Sequence, residues 1–258
     1  MSSDITFYKY QATGNDFILV DNRKNIFPKS EKNIRLMCDR KYGIGSDGLI
    51  LIENANEADF EMVFYNPDAS MSFCGNGSRA AVKFASHLGI GNETLNFMAI
   101  DGKHNAKINE KWVEIKMKDV LQYEKEDNYY FINTGSPHYI EYKNEIDLID
   151  IIEKGRAIRY SDKYQPAGTN VNFVEIIDKN TIYVRTYERG VENETLSCGT
   201  GVTACALSFA LQTNIENKCT VKTKGGLLEV EFKKTEVGFS DIWLSGAADF
   251  VFMGEIKL

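Results

Sequence analysis

The chain has 258 residues, enough for one large domain or two of about 130. With 43% hydrophobic residues, 26% charged residues and 4 prolines, it reads as a soluble globular protein without a long disordered tract. The net charge of -7 argues against nucleic-acid or anionic-membrane partners, which need a basic face, and no run approaches the ~18–20 apolar residues of a membrane helix.

The first ten residues lack the basic-then-apolar plan of a signal peptide, so a cytoplasmic location is expected. Aromatic and branched residues bounded by turn signals predict strands over Ile5–Tyr10, Phe17–Asp21, Leu49–Glu53 and Phe60–Tyr65. Between the second and third, the spacing of Ile34, Met37 and Cys38 predicts a helix over Glu31–Arg40. A second helix follows Cys74, carried by Ala80, Ala81, Phe84, Ala85 and Leu88. Beyond the polar stretch Asp119–Asn128, strands are expected over Phe173–Ile177, Ile182–Tyr187 and Leu227–Phe232. Ala204–Leu211 is apolar almost all round, the mark of a helix buried on most sides. The tail Phe250–Leu258 has a strand pattern and is expected to return to one of the domains.

The chain repeats itself. Cys74-Gly-Asn-Gly-Ser-Arg-Ala-Ala answers to Cys198-Gly-Thr-Gly-Val-Thr-Ala-Cys, displaced by 124 residues. Thr13-Gly14-Asn15 answers to Thr134-Gly135-Ser136 (121), Gly45-Ser46-Asp47 to Gly168-Thr169-Asn170 (123) and Tyr65-Asn66 to Tyr187-Glu188 (122). Matches in one order at nearly constant displacement indicate an internal duplication, far longer than a solenoid repeat. The expected fold class is α/β (α+β): two pseudo-symmetric domains, each a mostly antiparallel β-roll or barrel around a central helix. They span 1–119, joined by the tail 250–258, and 120–249.

Five cysteines are an odd number in a long chain without an export signal, and no spacing suggests zinc. Cys38, Cys205 and Cys219 lie in apolar patterns and read as small buried hydrophobes. Cys74 and Cys198 differ, because each stands at the start of a buried helix. There, unpaired N–H groups and the helix dipole favour a thiolate. The glycines that follow let a ligand approach those N–H groups. Each motif thus supplies a base and an anion cradle, and two such motifs facing one another could take a proton from one side of a carbon and return it from the other. The developing carboxylate charge would be met by preorganised donors, with no metal or other cofactor. The plainer alternative is a pair of tight strand-to-helix turns with buried cysteines. A phosphate loop is weaker, lacking Gly-Lys-[Ser/Thr]. His138, after the turn Gly135-Ser136-Pro137, could tune a thiol or be a solvated turn residue. Glu188-Arg189 suits a zwitterionic substrate, or is an exposed ion pair.

At these residues the sequence strongly resembles the diaminopimelate epimerase family. The matching stretches are Thr13–Phe17, Gly43–Gly48, Cys74–Arg79, Asn133–His138, Gly168–Asn172, Arg185–Gly190 and Leu196–Ala204, spread over the whole chain. The resemblance implies cofactor-independent interconversion of LL- and meso-diaminopimelate in lysine and peptidoglycan precursor synthesis, usually by a homodimer. It implies Cys74 and Cys198 as the acid/base pair and His138 and Glu188 as modulators of the thiols. Asn15, Asn66, Gly75, Asn76, Asn170, Glu188, Arg189, Gly199 and Thr200 match substrate-contacting positions. The departures are Ser136 for a common asparagine, a shortened Asn66–Cys74 loop with Ala69 for glycine, Gly246-Ala247-Ala248 without a proline, and Phe252 for a tyrosine in the tail.

Competing readings are a proline-racemase-like enzyme, a phenazine-biosynthesis-like isomerase and a cysteine acyl transferase using His138. The first tends to carry histidine after its first Cys-Gly, where this chain has Asn76. The other two leave the second cysteine unexplained. A redox-sensing or anion-binding protein is the non-catalytic alternative.

Overall fold

In the computed structural model, residues 4–213 and 215–258 are described, so the first three residues of the segment read for a signal peptide lie outside them. Contacts divide the chain into two units, one running to Ile115 and taking in Gly246–Leu258, the other Lys116–Ser245. The sequence put the cuts at 119/120 and 249/250. Residues just after Ile115 belong to the second unit because Met117 donates its N–H to the Ile242 carbonyl at 2.9 Å and Val120 pairs with Phe239. Ala248, in turn, is buried in the first unit's core.

In the first unit, strands hydrogen-bond in the order Asp249–Lys257, Asp4–Ala12, Asn15–Asp21, Gly48–Glu53, Phe60–Tyr65, Thr94–Ala99, Gly102–Ile108, Val113–Lys116. Pairing is antiparallel except between Asn15–Asp21 and Gly48–Glu53 and between Phe60–Tyr65 and Thr94–Ala99. Both faces are buried, which explains the unbroken apolar run Leu49-Ile50-Leu51-Ile52. Leu49 and Leu51 face helix α1 (Glu31–Cys38), while Ile50 and Ile52 face helix α2 (Gly75–His87). Helix α1 stops two residues short of the expected Arg40, because Asp39 is already extended. The tail strand pairs along almost the whole of Asp4–Ala12.

The second unit repeats this plan. Tyr123–Lys125, Tyr130–Asn133, Pro137–Tyr142, Asn170–Ile176, Thr181–Glu188, Lys218–Thr223 and Gly226–Thr235 pair in that order. The parallel pairs are again the third and the fifth in the order. Phe173 faces helix α3 (Ile151–Arg159) and Val174 faces helix α4 (Gly199–Gln212). Helix α4 is buried nearly all round, as its composition requires. Helix α3 stands where α1 stands in the first unit, yet the sequence reading gave no helix there. Gly155 in its middle is a poor helix former. Glycine is kept because a Cβ there would lie 2.4 Å from the Tyr187 Cβ. Among the described residues, no helix is long and apolar enough to cross a membrane.

Candidate active site

Both cysteines of the repeated motif are N-caps. Cys74 caps α2 with extended backbone, and its sulfur accepts the Gly77 N–H at 3.3 Å. Cys198 caps α4 in the same conformation, and its sulfur lies 3.5 Å from the Thr200 hydroxyl. Cys38, Cys205 and Cys219 are free thiols. Cys38, Cys205 and Cys219 are buried in the cores, and burial pushes all three thiols up, that of Cys219 to about 12. They are inert at neutral pH.

Around Cys74 the first unit assembles Asn15, Asn76 and Arg79. Asn76, on the first turn of α2, donates to the Asn15 amide oxygen at 2.6 Å, and Asn15 donates to Asp47 at 3.0 Å. Arg79, fully buried one turn on, donates to the Asn76 amide oxygen at 2.9 Å and the Thr13 hydroxyl at 2.7 Å. Thr13 sits at φ 47, a left-handed conformation unusual for a β-branched residue, and turns the chain into Asn15. Asp16 behind them is ion-paired to Lys9 at 2.6 Å and Arg40 at 2.6 Å. Burial alone would raise the Asp16 carboxyl, but the hydrogen bonds and charges of Arg40 and Lys9 prevail and hold it at about 2. Asn66 is different. Its side chain binds Ser70 and Ser72 and closes its own loop, in which Ala69 takes the left-handed φ of 69.

Around Cys198 the second unit brings Ser136, His138, Asn170, Asn172, Glu188, Arg189 and Thr200 together. His138 is wholly buried. Its Nδ1 lies 3.1 Å from the Asn172 amide nitrogen, which also donates to the Tyr139 carbonyl, while the Asn172 oxygen accepts the Thr186 hydroxyl at 2.9 Å. Asn172 therefore donates to Nδ1, and the ring proton sits on Nε2, 2.9 Å from the Thr200 hydroxyl and 3.0 Å from that of Ser136. Burial lowers the His138 pKa to about 3, outweighing the Asn172 bond, and Arg189 lowers it further, so the ring is neutral. It acts as a hydrogen-bond donor, not as a charge. Beyond it, Thr200 reaches the Cys198 sulfur.

Glu188 lies beside the Thr195 hydroxyl and the Cys198 thiol. Burial raises its carboxyl above the ordinary range, with those two neighbours pulling it back. Asn170 donates to Ser136 at 3.2 Å and the Pro137 carbonyl at 3.0 Å, and accepts the Arg189 N–H at 2.9 Å.

Three participants lay outside the residues singled out from sequence. Ser136 was set aside as a departure, yet its hydroxyl joins His138, Thr200 and Asn170. Asn172 alternates with Asn170 on one strand face, a period-two signal in Gly168–Asn172. Arg79 gave a weaker signal, a charge among the small and apolar residues of its helix.

A family model described as "Diaminopimelate epimerase" matches residues 7–120 and 130–248. The chain is 49% identical to the "Diaminopimelate epimerase" of Flavobacterium psychrophilum over 95% of its own length and 97% of that protein's. It is 38% identical to that of Aquifex aeolicus, with 97% of each covered. Among solved structures, a "phenazine biosynthesis protein, PhzF family" from Bacillus anthracis superimposes with a TM-score of 0.78 at 15% identity, covering 98% of this chain and 99% of that one. A "probable proline racemase" from Agrobacterium radiobacter gives 0.68 at 14% identity, covering 98% and 92%. At such identities these two likenesses are of fold alone.

Proposed function

We propose, since this chain belongs to the diaminopimelate epimerase family, that it interconverts LL- and meso-diaminopimelate with Cys74 and Cys198 as its two bases and without a cofactor. The observation that carries the mechanism is the pair of N-cap thiols, each at a glycine-rich helix start and each held by dedicated polar neighbours. One sulfur, as thiolate, takes the Cα proton. The other, as thiol, delivers a proton to the opposite face, so the configuration inverts. Charge developing on the substrate carboxylate is met by the N–H groups at Gly75-Asn76 and Gly199-Thr200, preorganised by the helix starts. In this reading Asn15, Asn66, Asn170, Glu188 and Arg189 hold the polar groups of the substrate, and the neutral His138 and the carboxyl of Glu188 tune Cys198. A mechanism that needs one sulfur as thiolate and the other as thiol suits a reducing compartment, the cytoplasm.

The reduced protein, without pyridoxal phosphate, is expected to exchange the substrate Cα proton in heavy water. Cys74→Ser and Cys198→Ser are each expected to abolish epimerisation. Full turnover by either single variant would end the two-base mechanism, and a panel of LL-diaminopimelate, lanthionine and proline tests the substrate. We also propose a homodimer through the tail strand, because Phe250, Val251, Phe252 and Met253 are all exposed on it. Sedimentation of wild-type protein and Phe252→Asp checks this, and a monomeric wild type overturns it.

A further inference from the structure

The two helix starts match in backbone but not in charge. Shifting Arg79 by the 124 residues that relate Cys74 to Cys198 lands on Thr203. Thr203 is buried and neutral, its hydroxyl bonded to the Gly199 carbonyl at 2.9 Å. Arg79 is a guanidinium with no surface exposed, and its two hydrogen-bond partners, Thr13 and Asn76, are uncharged. Among the described residues its Nε and Nη1 have no partner at all. A buried cation in such surroundings is costly unless an anion faces it. Burial lowers its pKa to about 10, and the group that pulls it back up is the Cys74 sulfur. Even so lowered, it stays charged at neutral pH.

We propose, resting on the two-thiol reading above, that Arg79 is the fixed counter-cation of Cys74, so that the resting enzyme carries Cys74 as thiolate and Cys198 as thiol. The Gly77 N–H on the Cys74 sulfur acts in the same direction. Beyond Asn76 and Asn15 lie the carboxylates of Asp47 and Asp16, ion-paired to Arg40 and Lys9, and His104 stacks on the adjacent Phe73 at 4.4 Å with its Nε2 2.8 Å from Asp101. Cys198 meets the opposite field. Its ionisable neighbours include the carboxyl of Glu188, which disfavours a second negative charge, the buried Cys205 thiol and the neutral His138. Arg189 is the cation on that side, but it is half-exposed and donates to the Ala167 carbonyl, so solvent screens it.

The proton count then fixes how a turnover starts. Cys74 takes the Cα proton and becomes a thiol, while Cys198 gives its proton and becomes a thiolate. Exchange with solvent restores the resting pair. Arg79 is a positioning residue in this scheme, setting the charge of a base without touching substrate.

The test uses reduced, substrate-free protein and iodoacetamide, with modified peptides quantified by mass spectrometry from pH 5 to 9. Cys74 is expected to react about tenfold or more faster than Cys198 at neutral pH, with its titration midpoint the lower of the two. Arg79→Met should move the Cys74 midpoint up by about one unit or more and leave that of Cys198 in place, and Arg79→Lys should restore it in part. An Arg79→Met protein with wild-type circular dichroism and an unmoved Cys74 profile overturns the assignment. Should that variant not fold, the wild-type order decides: Cys198 titrating below Cys74 overturns the proposal, and the reverse order supports it. No substrate enters the experiment, so failure here is separable from failure of the epimerase reading, which the heavy-water exchange tests.

Discussion

Thr200 links the buried imidazole of His138 to the sulfur of Cys198, and the hydroxyl is the only part of it that can do so. Thr200→Val keeps the shape and removes the link. His138 retains Ser136 as a partner, so the expected stability loss is about 1 kcal/mol, whereas kcat should fall about tenfold or more. A variant with unchanged kcat would show that the relay does not tune the thiol. The sequence made Cys74 and Cys198 legible because helix starts announce themselves through glycines and the apolar run that follows. It did not make Ser136 or Asn172 legible. Their roles depend on the parallel pairing of His138 with Asn170, a long-range register that local composition does not encode.

At the scale of the element, the two glycines of the repeated motif have different physical reasons. A Cβ on Gly75 would meet nothing within 4 Å, whereas one on Gly201 would lie 2.7 Å from the Asn172 side-chain oxygen and 3.1 Å from the His138 ring. Gly75→Ala should therefore melt within about 0.5 kcal/mol of wild type but raise KM, because the open space is where a carboxylate would approach the helix N–H groups. Gly201→Ala should lose about 1–3 kcal/mol and displace His138. Equal melting of the two variants would contradict this division. Helices α2 and α4 could be read from periodicity and near-total apolarity. Helix α3 could not, because the residue that fits it against Tyr187, Gly155, is the one that breaks its helical pattern.

For the molecule as a whole, the buried His138 and the half-buried Asp16 shape the response to acid. The folded pKa of His138 is about 3, below its ordinary 6.5, so its contribution to stability is complete above pH 6.5 and is lost as pH falls from there toward 3. Asp16, held at about 2 against an ordinary 3.8, behaves likewise over a lower window, contributing above pH 4 and losing it below; screened by solvent, this is about 1 kcal/mol. Thermal melts should thus drop between pH 6.5 and 4 and more steeply below. His138→Gln should flatten the upper part, and parallel wild-type and variant curves would refute the assignment. The duplication was visible in sequence through four short matches. The recurrence of parallel and antiparallel pairs in the same order gives its structural counterpart.

The pairing of Asp249–Lys257 with Asp4–Ala12 bears on how the chain is made. During synthesis the outer edge of the first strand has no partner until the last one leaves the ribosome. At about 5–20 residues per second, the 130 residues of Lys116–Ser245 hold that edge open for roughly ten seconds. The unit begun second is therefore completed first, and the nascent protein carries an unpaired edge bearing Ile5, Phe7 and Tyr10 while that unit is made.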